Sequence, residues 1–189
     1  MRISVLLALS VLLFNPTCAS NTTINFQTGP FSGNVDLGMP CNNVTISSPK
    51  QFELPSGIST TSYDVFLCSS AAILFVKAET GAVDFNAANE KGLIEFFTNE
   101  VNTALIGEGV DKETINISNP VINGKTGAVG SGYVPEGNDV MGYVPEDGDI
   151  IYIAGFPVSA ASFGVIVVPS NETKMKTIIE TINVTEATA

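Results

Sequence analysis

From Ile150 to Pro169 the chain runs for twenty residues without a charge. No other feature restricts the fold as much. A stretch of that length is long enough to cross a bilayer as a helix. Its composition argues otherwise, because Gly155, Pro157, Ser159, Ser162 and Gly164 interrupt it while Ile and Val dominate both ends. β-Branched residues favour strands, and strands covered on both faces read as continuous apolar runs. The run therefore reads as two central strands, Ile150 to Ala154 and Phe163 to Val168, joined by an irregular connection.

The elements around this pair fix the fold class. Phe52 to Gly57 alternates and then turns. Tyr63 to Cys68 and Ala71 to Lys77 read as strands joined at Ser69-Ser70. Leu93, Phe96, Phe97, Val101, Ala104 and Leu105 recur at three- and four-residue intervals, one face of a helix capped by Asn89 and stopped at Gly107. Thr114 to Ser118 and Thr126 to Tyr133 read as strands around Asn123-Gly124, a type I′ turn signal. Gly132-Tyr133-Val134-Pro135-Glu136 returns as Gly142-Tyr143-Val144-Pro145-Glu146. Two copies of five residues are too few for a repeat architecture and read as two similar strand ends. A last helix, capped by Ser170 or Asn171, carries Met175, Ile178, Ile179 and Ile182. The expected fold is α+β: one domain with a mainly antiparallel β-sheet against two helices. It spans residues 50–184, after an irregular Asn/Thr/Ser-rich arm over 21–49 and before a frayed tail at 185–189.

The N-terminus bears on compartment. Arg2 precedes an apolar run from Val5 to Phe14, Asn15-Pro16 ends it, and Thr17 to Ser20 are small or polar. This is the layout of a secretory signal peptide over residues 1–20, cleaved after Ala19 or Ser20, so the mature chain is expected to carry no membrane span. Cleavage would leave Cys41 and Cys68, an even pair suited to one disulfide in an oxidising compartment. Closing that loop is worth about 3.5 kcal/mol on the chain-entropy model. Asn21, Asn43, Asn116, Asn171 and Asn183 each head an Asn-x-Ser/Thr sequon and are glycosylation candidates on an exported chain. The expected location is secreted or at the cell surface.

Charge and missing residue types exclude whole function classes. Eight bases stand against nineteen acids; without Arg2 the balance is 7 − 19, or −12. Such a surface repels nucleic acid and anionic bilayers. The chain has no His, so a Ser-His-Asp or Cys-His nucleophile lacks its base and a catalytic zinc lacks its usual ligand. Paired carboxylates can hydrolyse a glycoside without His, but there is no Trp and there are only four Tyr to face a sugar. Gly127, Gly130 and Gly132 resemble part of a phosphate-binding loop without its spacing or its Lys. No catalytic residue is assigned and no cofactor is expected. Asp139, Glu146, Asp147 and Asp149 are oxygen ligands for a weak calcium site, against the plainer reading of solvated turn acids. Tyr133 and Tyr143, beside Gly and Pro, are candidate contact residues.

Phe52-Glu53-Leu54-Pro55-x-Gly57, the strand pair, the long helix, the hairpins and the final capped helix ending in Thr-Ile-Asn-Val resemble the PsbP/Mog1-like family over about residues 50–184. Ile58 stands where an aromatic residue often follows the family's Gly. The resemblance implies a compact α+β module whose best-known members bind other proteins and are not catalysts. It carries no functional residue over to this chain. The resulting expectation is a non-catalytic module that binds another extracellular protein or a cell-surface component. A structural subunit of an envelope layer is the first alternative and a carboxylate-based hydrolase the second.

Overall fold

The computed structural model describes residues 22–53, 59–68, 70–78, 84–135 and 149–187. The expected leader at 1–20, Asn21, the Leu-Pro-x-Gly motif, Asp139, Tyr143, Glu146 and Asp147 lie outside them.

The α+β expectation holds. Two helices and three antiparallel sheets account for the described chain. The elements run β1 (Thr23–Thr28), β2 (Phe31–Asp36), β3 (Val44–Ile46), β4 (Lys50–Glu53), β5 (Ser59–Leu67), β6 (Ala71–Ala78) and α1 (Glu90–Gly107). There follow β7 (Asn116–Ser118), β8 (Val121–Ile122), β9 (Lys125–Thr126), β10 (Ala128–Tyr133), β11 (Ile150–Pro157), β12 (Ser162–Pro169), α2 (Glu172–Thr181) and β13 (Asn183–Glu186). The large sheet has the order β3-β5-β6-β12-β11-β10-β7, and β4 pairs with the other half of β5. The charge-free run forms β11 and β12, adjacent near the middle, with Ala154 opposite Ile166.

Register divides the sheet into two faces, each with its own core. Tyr63, Val65, Ile73, Phe75, Ile166, Ala154 and Phe156 point to one side, where α2 and the sheet β1-β2-β13 cover them. Phe31 stacks on Phe75 at 5.0 Å between ring centroids and Phe26 stacks on it at 5.5 Å. Val76, Phe163, Val167, Ile153 and Ile151 point to the other side, beneath α1. There Phe85, Phe96, Phe97 and Phe163 form a second aromatic cluster. With most of β11 and β12 buried on both faces, a charge at most of their positions would have no solvent to enter.

α1 can lie close to β10 and one end of β11 because Ala128 and Gly130 of β10 and Gly155 of β11 face it, while Gly132 faces Val110 just beyond the helix. A Cβ on Gly130 would fall 2.6 Å from Val101 and 2.7 Å from Leu105. Of the glycines that resembled a phosphate loop, Gly130 is floor for the helix, Gly132 lies against Val110 and Gly127 against the Gly155 carbonyl and Phe156. Leu93, Phe97, Val101 and Leu105 are its buried stripe, and Asn89 caps its start by accepting from the Gly92 N–H at 2.8 Å. The helix runs through Gly107 and ends at Glu108, just before Gly109, whose φ is +78°. Asn171 caps α2 in the same way, through Lys174. Asn123 and Gly124 both have positive φ, as their hairpin requires.

Two boundary expectations are corrected. Residues 21–49 are not an irregular arm: β1 and β2 lie in the small sheet, and Ile24, Phe26, Phe31, Val35 and Leu37 are buried. Their isolated apolar residues are the period-two pattern of half-covered strands. Nor are residues 185–187 of the expected 185–189 tail frayed, since Thr185 and Glu186 belong to β13, which pairs with β2 from the far end of the sequence. The Ala187 N–H donates to the Pro30 carbonyl, extending that attachment.

Candidate functional site

Neither layer covers its face of the large sheet completely, and the two openings lie toward opposite ends. On the side of α2, a groove of about 410 Å³ lies between that helix and β7–β10. Val121, Val129, Tyr152, Met175 and Ile179 give it apolar walls, and Glu172, Lys176 and Glu180 form part of its polar lining. Val121 is 66% exposed. Burial, then the neighbouring Glu172 charge, pushes the Tyr152 hydroxyl above its ordinary pKa, so at neutral pH it stays protonated and able to donate.

On the α1 side the helix contacts β10 and β11, and a cleft of about 170 Å³ opens between it and the β6–β12 end. Leu74, Val76, Phe163 and Val165 form the sheet wall, and Val101, Ala104 and Glu100 the helix wall. Burial pushes the Glu100 carboxyl above its ordinary pKa.

Three further polar arrangements were not anticipated from the sequence. Asp64 is only 5% exposed; its Oδ2 accepts from Ser47 Oγ at 2.9 Å and lies 3.6 Å from Lys50 Nζ, while its Oδ1 has no hydrogen-bond partner. Glu186 pairs with Lys77 and accepts from Ser159 Oγ at 2.6 Å and from Ser162 Oγ. Burial pushes its carboxyl up, but those three hydrogen bonds and the Lys77 charge outweigh it and hold the pKa below the ordinary value. Asn123 uses its side-chain amide to bond both the N–H and the carbonyl of Val184, sealing part of the β13 edge. A lone acid or amide in a β-rich sequence gives no sign of such partners, which come from strands far away in the chain.

The anticipated residues are scattered. Cys41 and Cys68 form the expected disulfide, their Cα atoms 5.6 Å apart, and tie the segment after β2 to the end of β5. Asn43, Asn116, Asn171 and Asn183 are all exposed. Asn171 accepts through its carbonyl oxygen when it caps α2. Tyr133 is a half-buried strand end rather than a loop residue; its N–H donates to Thr114 Oγ1 and its carbonyl accepts from the Asp111 N–H. Asp149 is half-buried, and its carbonyl accepts from the Val134 N–H. Among the described residues no group of three or more Cys, Asp or Glu is placed to hold a metal ion, and no helix is long and apolar enough to cross a membrane.

Asp64 and Glu186 are engaged separately and share no hydrogen-bonding partner, and Glu100 stands apart from both beside the cleft. The groove beside α2 can accept an extended or compact polar-apolar surface, and the cleft beside α1 can accept a small apolar body. No family model, no curated protein and no solved structure matches the chain.

Proposed function

We propose that the chain is an exported, non-catalytic α+β module that binds another extracellular protein or a cell-surface component. The observation that carries the binding half is the groove between α2 and β7–β10, where apolar walls, a protonated tyrosine and both charge signs occur together. Protein interfaces combine an apolar centre, tyrosine and a polar rim in this way. Export is supported by the apolar leader, by the disulfide of the two remaining cysteines and by the exposed sequons at Asn43, Asn116, Asn171 and Asn183. The PsbP/Mog1-like resemblance points the same way, toward modules that bind proteins. Against hydrolysis stand the missing imidazole and the separate engagement of the inner carboxylates. Asp139, Glu146, Asp147 and Asp149 are read as solvated turn acids rather than calcium ligands.

The test is light scattering coupled to size-exclusion chromatography on the mature chain from Asn21, with and without millimolar calcium. A stable monomer or dimer in both conditions is expected. Growth to larger assemblies would replace the module by a coat subunit, and growth with calcium alone would make the acidic turns functional. Mass spectrometry of chain expressed with its leader should show processing near Asn21 and no free thiol in the exported fraction.

A further inference from the structure

The cleft beside α1 combines features that a simple packing defect does not require. Its walls are almost wholly apolar, with Leu74, Val76, Phe163 and Val165 on the sheet and Val101 and Ala104 on the helix. A gap of this kind lined only by hydrocarbon stays dry and takes up apolar molecules. Here a carboxylate lies on the wall as well. Among the described residues no hydrogen bond and no ion pair meets Glu100, and burial alone displaces its pKa. Lys91, the second residue of α1, is already paired with Glu95.

We propose that this cleft binds small organic amines, with the apolar body between α1 and the β6–β12 strands and the ammonium on Glu100. Volume sets the size class. About 170 Å³ is well below the roughly 300 Å³ at which drug-sized pockets begin, and near the roughly 150 Å³ of an engineered cavity that takes up benzene. One ring or a short branched chain fits; a lipid tail or a peptide helix does not. Charge sets the chemistry. An unpaired carboxylate in apolar surroundings favours a cation that restores its lost solvation, and rejects an anion. The mature chain's −12 charge raises the local concentration of cations in the same sense. The inference is independent of the protein-binding reading, which uses the other face of the sheet.

The experiment is a methyl-NMR titration of the mature chain with benzylamine, benzyl alcohol and benzoate at neutral pH, on the parent, Glu100→Gln and Ala104→Leu. In the parent, benzylamine should shift the Val101 and Val165 methyls and bind at least tenfold more tightly than benzyl alcohol, with benzoate weakest. Glu100→Gln should bring the amine and the alcohol within about twofold of each other while keeping the alcohol's affinity, a result that loss of folding cannot mimic. Ala104→Leu, which fills the cleft, should abolish both. Unmoved cleft methyls, an undiminished amine preference in Glu100→Gln, or benzoate binding as well as benzylamine would each overturn the proposal.

Discussion

The two faces of the large sheet are closed by different means. On one, a second sheet and a helix bring in Phe26, Phe31, Val35, Leu37, Met175 and Ile178, Phe26 and Phe31 stack on Phe75, and the opening that remains is the groove between α2 and β7–β10. On the other, a single helix sits on a floor of Ala and Gly, and close approach over β10 and β11 leaves the β6–β12 end open. The carboxylates follow the same division. Glu186 at the closed side is held by a lysine and two serines, whereas Glu100 at the open side meets no partner. A layer made of two elements can fit itself to a twisted sheet; one rigid helix covers a stripe. Tight closure favours stability, and the uncovered remainder is where a ligand can enter.

Adjacent residues of β6 offer the sharpest way to break this comparison. Phe75→Ala on the closed face should cost about 3–5 kcal/mol in urea unfolding, and Leu74→Ala beside the cleft about 2 kcal/mol or less. Equal losses would mean that α1 seals its face as completely as the small sheet does. Replacing Cys41 and Cys68 together by Ser should cost about 3.5 kcal/mol. Because the bond ties the segment after β2 to β5, faster amide exchange should appear in β1 and β2 before α1; uniform acceleration would count against a local staple.

Opposite signs are expected within the α1 face itself. Gly130→Ala should lower stability by about 1–3 kcal/mol, since its Cβ would press on Val101 and Leu105. Ala104→Leu should raise it by about 0.5–1 kcal/mol by filling the cleft, read as a shift in the urea midpoint. A loss with Ala104→Leu would show that the opening is already full.

Acid should separate the two carboxylates with the smallest effects. The folded pKa of Glu186 is lowered, so its contribution is present above the ordinary carboxylate range and disappears as pH falls through the folded value. The stability difference between parent and Glu186→Gln should therefore shrink on acidification. The folded pKa of Glu100 is raised, so its ionisation costs stability as pH rises through that value. Glu100→Gln should accordingly gain stability at neutral pH and lose that gain in acid. Thermal midpoints from about pH 3 to pH 7 would check both, and a common direction would refute the distinction.

Much of the fold was legible because local chemistry carried it. The charge-free Ile/Val run became β11 and β12, the three- and four-residue spacing of Leu93, Phe96, Phe97, Val101, Ala104 and Leu105 became α1, and Asn123-Gly124 turned as its φ preference demands. Cys41 and Cys68, the two cysteines beyond the expected leader, form the bond their pairing predicted. These signals need only a residue and its near neighbours. What tertiary structure decided was which distant segments meet. β1 and β2 pair locally, but the third strand that completes their sheet, β13, pairs with β2 from some 150 residues away, and nothing along the chain records that pairing. Thr126 to Tyr133 read as a strand, but only the helix above Gly130 supplied a reason for its having no side chain. Neither the groove nor the cleft is written in any motif, because each is space left between elements, and Glu100 became notable only once its surroundings were known. Sequence periodicity sets which side of an element is buried; the fit between layers sets where burial stops.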